Sequence, residues 1–93
     1  MRTIEHSTRF RRDYKREKRG VYRSTLDNDV LSVVRLLAMD LKLPTSMRDH
    51  TLAGDLKDCR DCHIKPDLVL IYRKTGARVL ELIRLGSHSE LGL

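Results

Sequence analysis

Three histidines and one aspartate in the second half of the chain have side chains suited to acid–base catalysis. His50 precedes a Thr-Leu-Ala-Gly segment, His63 and Asp67 precede one apolar run, and His88 follows another. Imidazole has an unperturbed pKa of roughly 6.5 and exchanges protons near neutrality. Because these histidines lie at the edges of predicted strands, we expect them to converge on one site. Beside a carboxylate and many arginines, they indicate acid–base chemistry on a phosphodiester.

A second motif overlaps this group, since Cys59, Cys62 and His63 match the spacing of a haem-attachment site. Covalent haem attachment takes place outside the cytoplasm, and the segment lacks the aromatic and glycine-rich surroundings that bury a porphyrin. The same cysteines with histidines could hold zinc. However, a strand would point Cys59 and Cys62 to opposite faces, and neither Gly nor Pro lies between them. We expect no metal and no cofactor, and interpret the cysteines as small, semi-buried, reduced strand residues.

The length and composition predict one small domain over residues 1–93, with 40% hydrophobic and 34% charged residues. No apolar run approaches the roughly 18 residues that a membrane span requires. The first residues carry charge and include no apolar signal segment. We therefore expect a cytoplasmic protein that does not associate with membranes.

The net charge of +6 is concentrated near the start of the chain. The segment from Arg9 to Arg23 holds eight basic and two acidic residues, and the rest of the chain is balanced. Such a segment favours an anionic partner, either nucleic acid or an acidic protein. A solvated helix face is the alternative interpretation.

Two helices are predicted in the first half, after a short edge strand over residues 3–6. The first helix begins at Ser7 or Thr8 and runs to about Arg19, where Gly20 would stop it. A capping box is expected from Ser24 to Asp27. The second helix then carries an apolar stripe at three- and four-residue spacing, formed by Leu26, Val30, Val33, Leu37 and Leu41. It is expected to end at Leu43-Pro44.

Short strands are predicted in the second half. Residues 68–73 and 79–85 are rich in Leu, Val and Ile and have the spacing of a β-hairpin. A strand over residues 59–65 is expected to pair with the first of them. Strict alternation would place Arg84 on the same face as Leu80 and Leu82, at the end of an apolar row.

Ordered motifs through the chain resemble a known family. They read Asp49-His50-x-Leu-x-Gly, Arg60-Asp61-x-His63-x-x-Pro66-Asp67, Leu70-Ile71-Tyr72 and Arg84-Leu85-Gly86-Ser87-His88. Together they resemble the YafQ group of bacterial toxins, within the RelE-like superfamily of mRNA interferases, over about residues 1–92. The resemblance implies an α+β, RelE-like fold in which two N-terminal helices pack against a curved antiparallel β-sheet that holds the active site.

The resemblance also implies a function, the toxin component of a type II toxin–antitoxin system. Such a toxin would be a metal-independent endoribonuclease that cleaves mRNA codons in the ribosomal A site. Its partners would be a cognate antitoxin, forming a hetero-oligomer, and the ribosome with its mRNA. The matching catalytic positions are His50, His63, Asp67, His88 and Arg84. The expected RNA-binding residues are Arg60, Lys65, Arg11, Arg12, Lys15 and Arg16.

In the expected mechanism, the 2′-OH of one nucleotide attacks its own 3′ phosphate. His50 is expected to act as general base and His88 as general acid, although the sequence leaves the opposite assignment open. The chain departs from the group at Gly92, where an aromatic residue commonly lies four positions after the last histidine. This departure supports an alternative function, a non-catalytic module of the same fold that binds RNA or an antitoxin.

Overall fold

The computed structural model describes residues 1–93 as a five-stranded sheet with helices. In chain order the elements are β1 (Thr3–His6), α1 (Thr8–Glu17), α2 (Leu26–Ala38), β2 (His50–Thr51), β3 (Arg60–Lys65), β4 (Leu68–Thr75), β5 (Val79–Gly86) and α3 (His88–Leu91). Short 3₁₀ turns span Thr45–Met47 and Gly54–Leu56. None of the helices has the length and apolarity needed to cross a membrane.

The sheet has the strand order β1-β5-β4-β3-β2 and is mixed. The α+β class predicted from the sequence is confirmed, but the prediction of a wholly antiparallel sheet was wrong. Strands β2 to β5 pair antiparallel through short connections, whereas β1 lies parallel to β5. A parallel pair requires a long connection, and most of the chain separates these two strands. The α3 helix was also not predicted.

Helix α1 begins where the sequence indicated, because the Ser7 side chain accepts a hydrogen bond from the Phe10 N–H at 2.9 Å. It ends at Glu17, two residues before the predicted end. Helix α2 begins after Thr25 without a side-chain cap, so the predicted capping box at Ser24 was wrong.

Helix α2 ends at Ala38 rather than at the predicted proline. Met39 caps the helix, and Asp40 after it adopts a left-handed φ of 56°, which turns the chain away from the helix axis. The predicted stripe is correct up to Leu37 and wrong for Leu41, which lies beyond the turn and is 49% exposed.

One apolar core fills the space between the helices and one face of the sheet. Helices α1 and α2 contribute Phe10 and the α2 stripe, and the strands contribute Cys62, Leu68, Leu70, Tyr72, Leu80, Leu82 and Leu85. Both cysteines are buried free thiols, and burial raises the pKa of Cys62 to about 12. The interpretation of the cysteines as packing residues fits this burial.

A β-bulge interrupts the alternation of β5. Ile71 pairs with Arg84 and the next residue, Tyr72, pairs with Leu82, so Ile83 is the extra residue. Leu85, rather than Arg84, therefore shares the core face with Leu82. The sequence-based assignment of Arg84 to that face was wrong, because a single inserted residue moves every later side chain to the opposite face.

Candidate active site

The face of the sheet opposite the main core carries the predicted histidines. His50 lies on β2, His63 on β3 and His88 at the first position of α3. The His63 ring lies between the other two, with centroids 6.4 Å from His50 and 4.9 Å from His88. Asp67, in the turn between β3 and β4, contacts His88. The structure thus brings together four of the five residues predicted to be catalytic.

The tautomer of His50 follows from its hydrogen bond to the main chain. Its Nδ1 lies 2.6 Å from the Arg48 carbonyl oxygen, which can only accept, so Nδ1 must carry the proton. The same nitrogen lies 3.0 Å from Oδ1 of Asp61. In neutral His50 the lone pair is therefore on Nε2. That nitrogen can accept a proton from a substrate hydroxyl.

Asp61 is a site residue that the sequence analysis did not select. Its side chain is 4% exposed and lies behind the histidines. Burial raises the pKa of this carboxyl, although the nearby histidines act in the opposite direction. Because Asp61 lies two positions before His63 on β3, strand alternation alone places both on one face. This spacing was the signal in the sequence.

His88 and Asp67 form the tightest pair of the site. Asp67 Oδ1 accepts a hydrogen bond from the main-chain N–H of His88 at 2.9 Å and one from its ring Nδ1 at 2.7 Å. The main-chain and ring hydrogen bonds from His88 lower the pKa of the Asp67 carboxyl. Because ring Nδ1 is held by Asp67, the other ring nitrogen of His88, Nε2, is directed away from the carboxylate.

His63 differs from its neighbours in electrostatic environment. Partial burial lowers the pKa of this imidazole, Asp61 opposes that effect, and the charges of His88 and Arg48 add to it. His63 is therefore neutral near pH 7. It can accept a proton or a hydrogen bond between the two outer histidines.

Arg84, the predicted active-site arginine, lies on the histidine face of the sheet because of the bulge. Its guanidinium donates to both oxygens of Asp13 on α1, from Nε at 2.7 Å and from Nη2 at 3.3 Å. Asp13 is 3% exposed and also accepts from the Leu85 N–H at 3.0 Å. Nη1 of Arg84 makes no hydrogen bond within the protein. Asp13 therefore positions the Arg84 guanidinium and leaves one of its amino groups free.

Helix α1 also completes the free edge of β5 beyond β1. Ser7 Oγ donates to the Ile83 carbonyl at 2.6 Å, and Arg16 Nη2 donates to the Leu85 carbonyl at 2.9 Å. Arg16 Nε lies 2.8 Å from Glu90 on α3. These contacts fix the segment that carries His88 to α1. They also occupy Arg16, which was predicted to bind RNA.

Arg60 forms part of a polar group beneath β2. Asp49 Oδ1 accepts from Arg60 Nε at 3.1 Å and from the buried Tyr72 hydroxyl at 2.5 Å. Asp49 directly precedes His50, so this group fixes the start of the strand that carries the histidine. Neither Asp49 nor Tyr72 was selected as a site residue from the sequence.

The other cations predicted to bind RNA have two kinds of environment. Lys65 pairs with Asp29 on α2 at 3.2 Å. By contrast, Arg11, Arg12 and Lys15 are not paired with any acidic side chain. They lie on the side of α1 that faces away from the buried Phe10 and Asp13. Helical spacing puts these three cations on one solvent-facing surface, which we call the α1 basic surface.

Gly92 ends α3 with a left-handed φ of 71°. An added Cβ at this position would meet no atom within 4 Å, so space does not exclude a side chain. Left-handed backbone favours glycine. The short helix, its Ser87–Glu90 capping box and this glycine end form one compact unit after β5.

Comparisons with known proteins show the family of this chain. The family model described as "Bacterial toxin of type II toxin-antitoxin system, YafQ" matches residues 2–92. An mRNA interferase toxin YafQ from Escherichia coli is 35% identical over 91 residues, covering 97% of this chain and 95% of that protein.

Solved structures show the same similarity. A copper-bound mutant toxin from Helicobacter pylori has a TM-score of 0.88 at 34% identity, covering 98% of this chain and 99% of that chain. YafQ in the Escherichia coli DinJ–YafQ complex has a TM-score of 0.83 at 35% identity, covering 98% of each chain. Because the family model spans nearly all of the sequence, this chain belongs to the YafQ family of type II toxin–antitoxin toxins.

Proposed function

We propose that this protein is an mRNA interferase that cleaves mRNA codons in the ribosomal A site by metal-independent acid–base catalysis. The arrangement of His50, His63 and His88 in one row, with Asp67 paired to His88, carries the proposal. The similarity to a YafQ named as an mRNA interferase toxin supports it. At the level of the superfamily we place the fold with the RelE-like toxins.

The proposed reaction begins with removal of a proton from the 2′-OH by His50 Nε2. The oxygen then attacks the adjacent phosphorus, a new P–O bond forms, and the bond to the 5′ oxygen breaks. His88, held by Asp67, acts as the general acid and gives its Nε2 proton to the leaving oxygen. The products are a 2′,3′-cyclic phosphate and a 5′-hydroxyl end. Each proton transfer contributes roughly 10²–10⁴-fold to the rate.

Asp61 and His63 support the base in this scheme. Asp61 lies 3.0 Å from the protonated Nδ1 of His50, so its negative charge stabilises the imidazolium that forms. His63, neutral near pH 7, lies between the base and the acid and can accept a hydrogen bond from the substrate hydroxyl. Arg84 offers its free Nη1 to the phosphate, where positive charge stabilises the pentavalent transition state.

The α1 basic surface is proposed to bind ribosomal RNA. Arg11, Arg12 and Lys15 have no acidic partner in the protein, so phosphates are their natural counter-charges. Arg60 and Lys65 remain proposed RNA contacts nearer the site, whereas Arg16 is assigned to the internal network. A cognate antitoxin is the other proposed partner, by similarity to the YafQ in the DinJ–YafQ complex.

Gly92 supports a second proposal, a binding module of the same fold without catalysis. The group commonly carries an aromatic residue here, and a ring could stack on a base. The intact histidine row favours the nuclease.

Replacement of the reacting nucleotide tests the chemistry directly. A programmed mRNA with a 2′-deoxynucleotide at the mapped cleavage position should resist the protein on ribosomes, while the all-ribose mRNA is cut to a cyclic phosphate end. Cleavage of the deoxy mRNA at the same phosphate would contradict attack by the 2′-OH. Binding without cleavage of either mRNA would favour the non-catalytic module.

A further inference from the structure

A cavity of about 430 Å³ opens beside the histidine row. It is lined by the 3₁₀ turn before β2 and by the end of β3, through Ser46, Met47, Arg48, His63, Ile64, Lys65 and Pro66. Its volume is within the range of about 300–1,000 Å³ that is usual for small-molecule sites. His63 belongs both to the cavity wall and to the histidine row, so the cavity adjoins the candidate active site.

The cavity exists because β2 is short. Its two residues pair with Arg60 and Asp61, so β3 has no strand partner beyond that point on this side. The 3₁₀ turn Thr45–Met47 lies there instead. An unpaired strand edge presents main-chain N–H and C=O groups, which can meet the polar edge of a nucleobase.

Arg48 links the cavity to catalysis. Its carbonyl holds the His50 ring, and its exposed side chain lines the cavity without any acidic partner. A left-handed φ of 51° at this residue is uncommon for a residue with a side chain. The geometry therefore places a free guanidinium beside His63.

The remaining walls of the cavity have two characters. Met47 and Ile64 are half-buried apolar side chains that pack on the core, and Pro66 lies at the rim. Lys65 adds a second cation, which forms an ion pair with Asp29. A cavity with an apolar wall and a guanidinium is suited to a nucleotide. Proteins bind single-stranded RNA by packing flat side-chain groups, including the guanidinium of arginine, against its bases and by contacting its phosphates.

We propose that this cavity is a nucleotide subsite, which holds the RNA nucleotide next to the scissile phosphate, with Arg48 on its phosphate and Met47 and Ile64 against its base. This inference rests on the proposed nuclease function and adds a specific contact to it. The subsite lies across His63 from α3. It offers a binding surface for the base although Gly92 carries no ring.

A short RNA that cannot be cleaved is the appropriate probe. We would titrate the protein with a trinucleotide carrying 2′-O-methyl groups and follow the methyl signals of Met47 and Ile64 and the His63 ring by NMR. All three should shift with one dissociation constant. Arg48→Ala should weaken binding about tenfold and Arg48→Lys by less, since lysine keeps the charge but not the planar fork.

Arg78→Ala is the matched control. Arg78 is an exposed arginine in the β4–β5 loop, whereas Asp67 and His88 adjoin the other end of this hairpin. It should change affinity by no more than about twofold. The subsite is wrong if Met47 and Ile64 do not respond to the trinucleotide, or if Arg48→Ala behaves like Arg78→Ala.

Failure of the subsite can be told apart from failure of the nuclease function. Codon-phased cleavage by the parent on ribosomes, together with silent cavity methyls, would remove the subsite and keep the function. Binding of the trinucleotide in the cavity without cleavage by the parent would keep the subsite and remove the nuclease function.

Discussion

Asp67 holds His88 at two points, through the main-chain N–H and through ring Nδ1, with the same carboxylate oxygen. One carboxylate therefore sets both the position of α3 and the orientation of its histidine. Asp67→Asn keeps the shape but removes the negative charge beside the ring of the proposed acid. We expect the single-turnover cleavage rate on ribosomes to fall about 10–100-fold, with little change in ribosome affinity. A rate equal to the parent's would show that the pair does not assist the acid.

A second prediction concerns the buried carboxylate of α1. Burial by itself would raise the pKa of Asp13, but hydrogen bonds from Arg84 and Leu85 and the charge of Arg16 hold it below the ordinary 3.8. Asp13→Asn leaves Arg84 without its partner. The free energy of unfolding should therefore decrease by about 3 kcal/mol at pH 7, the usual cost of breaking a buried ion pair.

The pH dependence of this difference has a defined sign. A carboxyl whose pKa is lower in the folded than in the unfolded protein stabilises the fold at pH values above its unfolded-state pKa. This stabilisation is lost as the pH falls through its folded-state pKa. The difference in unfolding free energy between the parent and Asp13→Asn should be constant from about pH 7 to 5 and should decrease below about pH 4. Urea unfolding at each pH measures it, with the exposed Asp55→Asn as control. A gap that widens in acid would contradict the assigned ion pair.

Tyr72→Phe tests the polar group under β2. The change removes the hydroxyl that donates to Asp49 and leaves the ring in the core. We expect a loss of about 1.5–3 kcal/mol in unfolding free energy, as for a hydrogen bond to a charged group. The cleavage rate should fall several-fold, because Asp49 fixes the strand of His50. Tyr22→Phe serves as the control, and equal effects of both changes would exclude a specific role for Asp49.

The α1 basic surface and Arg16 should respond differently to mutation. The double change Arg11→Glu and Arg12→Glu should weaken ribosome binding and reduce its salt dependence, while the melting temperature stays near the parent's. Arg16→Ala should instead lower the melting temperature, because it removes bonds to Asp13, Glu90 and the Leu85 carbonyl. If the double variant binds ribosomes as the parent does at every salt concentration, the surface is not the ribosomal contact.

Local patterns in the sequence predicted most of the elements. The Ser7 cap, the α2 stripe up to Leu37 and the β4–β5 hairpin depend on neighbouring residues, and all were correct. The parallel pairing of β1 with β5 was not predicted, since residues far apart in the chain determine it. The bulge at Ile83 has no clear composition signal either, and it decides which face receives Arg84.

The site could be predicted in part. The histidines and Asp67 were found because their chemistry and spacing are distinctive, and the structure places them together. Asp61 could have been found from its two-residue spacing to His63. Arg48 could not, because its place at the site depends on a left-handed residue after a 3₁₀ turn.

The central claim is that the histidine row cleaves mRNA in the ribosomal A site. Primer extension on a programmed ribosome should reveal codon-phased cuts by the parent and by Arg78→Ala. His88→Ala should lose at least about 10²-fold in rate, since it removes one proton transfer. Codon-phased cleavage by His88→Ala at the parent's rate would contradict the account, and so would the absence of cleavage by the parent itself.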